Sequence, residues 1–321
     1  MTKYFLIKFE QQKNSLFLFF LQYAIPTLMK ELKTTTPPVN KEFELKFNRC
    51  IVINSVAYFV MAYFVIVFSY NLFAIWIATY WFGFDAELYW HGFVLKGNWV
   101  RGEMVIVFFF GNSITLLLGF IFNRLYKKQR RYRKGIKLFL MWGYIIGYAW
   151  FFGNIIVGAL FNFGIGTALR AFGVPFKIRF FFALAAVFVL VYIGYKSQKG
   201  VLVSANLYFK KLSKNRINSF LRHQILYPAL IGTAILIIYK IPKIDEYYYM
   251  DWLTMFSVAL YIGGLFLKSK HTSSLIFKSH KKTPETITKR NRFCKIQTAA
   301  IIVFVIFILA MRIGLNNGVY F

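Results

Sequence analysis

Long apolar stretches alternate with short, mostly basic segments along this chain of 321 residues. A helix needs about 20 apolar residues, at about 1.5 Å of rise per residue, to cross the hydrocarbon core of a membrane. Seven stretches reach or approach that length, and none contains Asp, Glu, Lys, Arg or His. They cover residues 50–80, 104–122, 138–163, 180–195, 224–239, 252–267 and 296–311. The pattern predicts an all-α fold: a polytopic helical membrane protein with about seven transmembrane helices.

The composition agrees with a chain that is largely surrounded by lipid. Hydrophobic residues make up 58% of it and the mean hydropathy is +0.53, a surplus that ordinary soluble domains do not have. Proton relays, ion-coupled transport sites and metal sites within a bilayer are normally built from ionisable residues. Their absence from the seven stretches argues against these classes of function.

The basic residues predict the orientation of the chain. The formal net charge is +29, and 32 of the 40 Lys and Arg residues lie before the first stretch or between stretches two and three, four and five, and six and seven. Because Lys and Arg accumulate on cytoplasmic loops, we expect the N-terminus inside and the C-terminus outside. Membrane lipids with anionic headgroups are the expected partners of this charge. Nucleic acid is not expected, because the basic loops are short and carry no RNP, zinc-finger or helix-turn-helix pattern.

The chain divides into two predicted parts. Residues 1–49 form a cytoplasmic N-terminal segment, and residues 50–321 form the seven-span transmembrane domain. Within the first part, the apolar run 16–29 is too short to cross a membrane and is interrupted by Gln22 and Pro26. An interfacial or re-entrant helix is the preferred interpretation of 16–29, and a cleaved signal sequence stays open as an alternative.

Small and amide residues are concentrated in the third stretch. Gly143 and Gly147 form a G-x-x-x-G pair, and Asn154 and Gly158 follow in the same stretch. Glycines let two helix backbones approach closely, and an Asn amide can hydrogen-bond to a neighbouring helix. We therefore predict that these four residues pack this helix at the centre of the bundle. A dimer face or a substrate groove remains an alternative role for them.

Candidate chemistry is concentrated in the loop after the first stretch. Asp85, Glu87, His91 and Glu103 lie within 19 positions, among several aromatic residues. An Asp-x-Glu pair followed by His can bind a divalent cation or supply a general base. The same residues can instead be water-exposed charges beside an interfacial aromatic belt. We prefer this second interpretation and expect no catalytic residue, no metal and no cofactor.

The acidic pair Asp85 and Glu87 resembles the outer-loop carboxylates of the polyprenyl-phosphate-dependent GT-C glycosyltransferases. The resemblance covers this one short motif after the first stretch. It implies a lipid-linked transferase in which the two carboxylates serve the reaction.

Three functions from different classes follow. The preferred one is a non-catalytic subunit or scaffold of a membrane or envelope assembly, whose partner would be another membrane protein or a second copy of the chain. The alternatives are the GT-C-like transferase and a facilitative carrier for a neutral or amphipathic solute, bound by Asn, Ser and Tyr groups within the spans. The richness in Lys, Asn, Ile and Phe is typical of an AT-rich bacterial genome. We therefore expect a multi-pass protein of the bacterial inner membrane.

Overall fold

The computed structural model describes residues 41–97, 100–129, 135–161, 164–209, 211–241, 248–269, 272–276 and 296–321. The chain divides into two compact units, Met1–Leu45 and Lys46–Phe321. The helix predicted at 16–29 lies outside the described residues, as does most of the N-terminal segment 1–49. The end of that segment, from residue 41, already belongs to the first helix.

Nine α-helices and five short strands are present in the described residues. The helices are α1 (Lys41–Phe82), α2 (Arg101–Gln129), α3 (Ile136–Phe161), α4 (Ile165–Ala171), α5 (Phe176–Leu202), α6 (Lys214–Leu221), α7 (Tyr227–Lys240), α8 (Tyr248–Ser269) and α9 (Thr298–Gly314). A 3₁₀ turn, Val203–Leu207, continues α5, and a π-helical turn, Arg222–Leu226, joins α6 to α7. The strands are β1 (Asp85–Tyr89), β2 (Gly92–Lys96), β3 (Lys211–Leu212), β4 (Leu275–Ile276) and β5 (Val319–Tyr320).

Five helical segments are long and apolar enough to cross a membrane. They are Asn48–Phe82, Gly102–Gln129, Ile136–Phe161, Phe176–Leu207 and Arg216–Lys240. The prediction of a multi-pass helical membrane protein is confirmed at this level. The two other predicted stretches, 252–267 and 296–311, coincide with the shorter apolar segments Leu253–Ser269 and Thr298–Gly314. The count of seven spans and the orientation stay predictions.

Side-chain contacts show that α1 and α3 are parallel. Near the start of both helices, Trp142 Nε1 donates a hydrogen bond to Ser55 Oγ over 2.8 Å. Further along both helices, the rings of Tyr63 and Trp150 meet edge to face, with centroids 5.6 Å apart. Two helices that touch at both places in the same order run in the same direction.

Helices α7 and α9 also run parallel to α1, because each contacts α1 near its own start and again further along. The contacts near the start are Gln224 Nε2 with Ser55 Oγ (3.1 Å), just before α7, and the Gln297 amide with Asn54 Oδ1 (2.8 Å), just before α9. The later contacts join Phe64 to Tyr239 of α7 (5.1 Å between ring centroids) and to Phe307 of α9 (5.6 Å).

The remaining long helices, α2, α5 and α8, run the opposite way. Helices α2 and α8 are antiparallel to α3, and α5 is parallel to α8. Between α2 and α3 the contacts are Asn112 with Asn154 and Phe122 with Gly143. Between α8 and α3 they are Ser257 with Ala149 and Thr254 with Gly153. Between α5 and the end of α8 they are Val191 with Gly264 and Gln198 with Thr272. Successive long helices therefore alternate in direction along the chain.

A three-stranded sheet closes one end of this bundle. Strands β1 and β2 form an antiparallel hairpin with Asp85 opposite Lys96, and β5 pairs with the other edge of β1, with Glu87 opposite Tyr320. Helix α1 ends at Phe82, and Gly83, which follows it, has a φ of 68°, the left-handed conformation that glycine adopts without strain. The predicted all-α fold lacked these strands. The sheet joins the loop after α1 to the segment after α9.

Candidate functional site

Three of the four candidate residues, Asp85, Glu87 and His91, lie in the hairpin of the three-stranded sheet, and Glu103 lies in the first turn of α2. We call the region of the sheet the sheet cap: strands β1, β2 and β5, together with Tyr239 at the end of α7 and Arg312 at the end of α9. A core of aliphatic and aromatic side chains lies beneath it, in which Ala86 and Leu88 of β1 are buried. Because these apolar residues alternate with polar ones along β1, the strand presents its polar residues on its other face.

Glu87 is the central polar residue of the sheet cap. Its side chain is only 6% exposed, and both of its carboxylate oxygens accept hydrogen bonds. Lys96 Nζ donates to Oε1 and forms an ion pair with it, and Tyr89 Oη donates to Oε2 over 2.7 Å. The interpretation of this residue as a water-exposed loop charge is therefore wrong. The partners of Glu87 could not be predicted from the sequence, because they depend on the register of the hairpin.

The register of the strands explains the cluster. Glu87 and Tyr89 stand two residues apart on β1 and share a face of the sheet. Lys96 lies opposite Asp85, which makes it a diagonal neighbour of Glu87, within reach of a long side chain. Tyr320 lies directly opposite Glu87 on β5, and its ring centroid is 5.9 Å from Lys96 Nζ. The cluster therefore contains one residue from β2, two from β1 and one from β5.

The hydrogen bonds within this cluster shift the pKa values of its members. The hydrogen bond from Lys96, followed by that from Tyr89, lowers the pKa of Glu87. The hydrogen bond to Glu87 raises the pKa of both Tyr89 and Lys96. Glu87 is therefore ionised at neutral pH, and its contribution to stability is lost only as the pH falls through its lowered pKa.

The other predicted residues have separate surroundings. Asp85 is exposed at the first position of β1. The His91 ring stacks on Tyr89, with centroids 5.3 Å apart. Glu103 lies in the first turn of α2, where its Oε2 accepts a hydrogen bond from the Val100 amide over 2.9 Å. A carboxylate three residues into a helix that binds the amide preceding the helix is half of a capping box.

These four residues do not converge on a common point. Glu87 is held by its strand neighbours, and Glu103 caps a helix. Among the residues that the structure describes, no group of three or more His, Cys, Asp and Glu side chains is arranged to hold a metal ion. The ion pair of Glu87 with Lys96 joins the first two strands of the sheet across the hairpin.

Arg312 is a residue of the sheet cap that the sequence analysis did not single out. Its guanidinium donates hydrogen bonds to the carbonyl oxygens of Tyr239 (2.7 Å) and Ile241 (2.9 Å), at the end of α7. It also lies 4.7 Å from the ring centroid of Trp90, in the hairpin turn. One side chain thus connects α9, α7 and the hairpin. A signal was available, since Arg312 is the only charged residue after position 295.

The glycines predicted to pack the third span face α2. A Cβ atom added to Gly147 would lie 2.8 Å from both the Cα of Gly119 and the carbonyl oxygen of Thr115. One added to Gly143 would lie 2.5 Å from the ring of Phe122. Real Cβ atoms do not approach other atoms this closely, so any larger residue at Gly147 would push two backbones apart.

Asn154 and Gly158 continue these contacts toward the sheet cap. Asn154 Nδ2 donates to Asn112 Oδ1 over 3.0 Å, and Asn112 Nδ2 donates in turn to the Phe151 carbonyl over 3.1 Å. A Cβ added to Gly166 would overlap the carbonyl of Gly158, so α3 and α4 meet there in close backbone contact. The amides of this region are thus used to bind neighbouring helices.

Comparisons of the chain with protein-family models, with curated proteins and with solved structures find no match. Two features of the described residues bear on function. They are the sheet cap, which binds three helix ends together, and the closely packed interface of α2 and α3.

Proposed function

We propose that this chain is a non-catalytic subunit or scaffold of a membrane or envelope assembly in the bacterial inner membrane. In this proposal it crosses the membrane seven times, with its N-terminus in the cytoplasm and the segment after α9 outside. The alternating directions of the long helices support an odd number of crossings. So does the pairing of β1 with β5, because an odd number of crossings brings the loop after the first helix and the segment after the last to the same side.

The scaffold role is supported mainly by the contacts of Glu87. Both carboxylate oxygens bind protein groups, Lys96 and Tyr89, and the lowered pKa keeps the carboxylate ionised. General acid–base catalysis is most efficient when the pKa of the catalytic group lies near the working pH, and the pKa of Glu87 is shifted away from it. The contacts of Glu87, the most buried acid of the described loop, therefore favour a structural role for it. In this role the sheet cap presents a fixed surface to a partner.

The partners in this proposal are anionic lipids and a second protein, either another membrane protein or another copy of the chain. Helix α5 offers a broad apolar face to such a protein or to lipid, since Phe181, Phe188 and Tyr192 are each more than half exposed. Isolation of the tagged protein from native membranes in a mild detergent, followed by mass spectrometry, tests the proposal. We expect a stoichiometric protein partner. A bound polyprenyl lipid without such a partner would favour the transferase.

The role of Glu87 can be tested by a pair of matched variants. If Glu87 is structural, Glu87→Gln and Lys96→Gln should lower the melting temperature by similar amounts, and the double variant by little more, because each removes the same ion pair. Complementation of a deletion strain should follow this loss of stability. If Glu87 is catalytic, Glu87→Gln should abolish complementation at normal stability, while Lys96→Gln should retain it. The second pattern would replace the scaffold by the transferase.

The orientation is tested by single-cysteine labelling in a background in which Cys50 and Cys294 are replaced by Ser. Asn316→Cys, just after α9, should react with a membrane-impermeant maleimide in intact cells. Lys199→Cys, near the end of α5, should react only after the membrane is opened. The reverse pattern would contradict the proposed topology, and labelling of both sites in intact cells would contradict the alternation of spans.

A further inference from the structure

Three cations at the end of the bundle opposite the sheet cap have no described protein partner. Arg124, Lys127 and Lys128 lie in the last two turns of α2, and with Ile121 and Leu125 they line a surface depression of about 440 Å³. We call these five residues the basic groove. Among the residues that the structure describes, none of the three cations makes a hydrogen bond or an ion pair.

Along α2, exposed apolar side chains are followed by cations, which matches the order of acyl chains and phosphate in a phospholipid. Leu117 and Phe120 are each 53% exposed, and Ile121 and Leu125 follow with 41% and 40%. Arg124 lies next to Leu125, and Lys127 and Lys128 follow, at the helix end where a membrane-spanning helix leaves the hydrocarbon. Acyl chains would therefore meet exposed apolar side chains, and a phosphate at the membrane surface would meet Arg and Lys.

Among the described residues, no acidic side chain forms an ion pair with the basic groove. The C-terminal end of a helix carries only about half a negative charge, against three cations. Between Glu103 and Asp245 the sequence contains no acid. Four more cations follow at positions 130, 131, 133 and 134. Clusters of this size beside a membrane-spanning helix attract anionic lipid headgroups.

We propose that the basic groove binds one anionic phospholipid, with its phosphate held by Arg124, Lys127 and Lys128 and its acyl chains lying along Ile121 and Leu125. An Arg guanidinium binds phosphate through two parallel hydrogen bonds, and Lys adds point charges. The proposal rests on the membrane assignment made above and is independent of the scaffold role.

The test measures retained lipid by native mass spectrometry after incorporation of the protein into nanodiscs of phosphatidylglycerol and phosphatidylcholine. The site variant carries Arg124→Gln, Lys127→Gln and Lys128→Gln. The control variant carries Lys196→Gln, Lys199→Gln and Lys214→Gln, which remove the same charge at exposed positions around the end of α5. We expect the wild type and the control to retain phosphatidylglycerol in preference to phosphatidylcholine. In the site variant, the ratio of retained phosphatidylglycerol to phosphatidylcholine should fall by about tenfold or more, because each cation near an anionic surface adds to the affinity for it.

A second variant, Leu125→Asn, tests the acyl contact without any change of charge. It should weaken retention of long-chain phosphatidylglycerol and leave competition by its soluble headgroup, glycerophosphoglycerol, unchanged. Equal losses in the site and control variants would overturn the proposal, as would wild-type retention in the site variant. Complete competition by inorganic phosphate would assign the groove to free phosphate instead of lipid. Failure of the protein to enter nanodiscs would contradict the membrane assignment itself.

Discussion

Helices α3 and α9 are both apolar, but one is buried in the bundle and the other lies on its surface. Nearly every side chain of α3 from Leu138 to Trp150 is buried. No residue of α9 is buried. Hydrophobicity determines that a helix enters a membrane, but lipid is as apolar as a protein interior. Hydrophobicity therefore does not determine which of two apolar helices lies at the centre of the bundle.

Residue size explains the difference. Gly143 and Gly147 let α3 approach α2 to backbone contact, and the close packing of many atoms stabilises the pair. Helix α9 has only large side chains from Ile301 to Leu309, and its exposed positions include Ile302, Val303, Ile306 and Leu309. It is held mainly at its ends, by Gln297 on Asn54 and by Arg312 on the last carbonyls of α7. The following variants test this contrast.

The largest effect is expected from Gly147→Leu. The new side chain would overlap the backbone of Gly119, so α2 and α3 must separate or the fold is lost. We expect a loss of about 3 kcal/mol or more, at the upper end of overpacking effects. Thermal unfolding in detergent measures it. Gly263→Leu is the matched control, because nothing lies within 4 Å of a Cβ at that position of α8. An unchanged melting temperature for Gly147→Leu would place Gly147 toward lipid.

Arg312→Ala should release the end of α9 from the sheet cap. The change removes two hydrogen bonds from a charged donor and the contact with the Trp90 ring, so we expect a loss of about 2 kcal/mol. Hydrogen exchange should rise in β5 and in the hairpin more than in α3. Arg312→Lys should restore stability only in part, because Lys keeps the charge but lacks the guanidinium group, which can bind two carbonyl oxygens at once. Full rescue by Lys would show that charge alone holds α9.

Asn154→Leu should have an intermediate effect. It removes the hydrogen bond to Asn112 within the bundle, and interhelical hydrogen bonds of this kind contribute about 0.6 to 1.7 kcal/mol in membranes. A double-mutant cycle with Asn112→Leu measures the coupling between the two amides. Additive losses would mean that the pair does not bind α2 to α3.

The smallest effect is expected from Ile306→Ala in the middle of α9. Ile306 is 61% exposed, so the change should alter stability by less than about 0.5 kcal/mol. Its counterpart Ile146→Ala in α3, where the side chain is 1% exposed, should cost about 2 kcal/mol or more. If Ile306→Ala removes a co-purified protein without a change in melting temperature, α9 is covered by that protein instead of lipid.

The loop after α1 shows how much of the candidate site can be predicted from the sequence. Glu87, Asp85, His91 and Glu103 were recognised as the residues with chemical potential in the first loop, because acids are rare in this chain. The roles of Glu87 and Glu103 were not recognised. The ion pair of Glu87 with Lys96 depends on strand register, which a two-residue shift would change.

The sequence by itself determined the class of the protein and its span-length helices, because uncharged apolar runs cannot be solvated by water and satisfy their backbone groups internally as helices. It also determined where close helix packing is possible, through Gly143 and Gly147. Only the tertiary structure decided that β5 pairs with β1 and that Arg312 reaches the end of α7. These contacts join residues that are far apart in the chain. The directions of the helices bring them together, and no local pattern of residues contains that information.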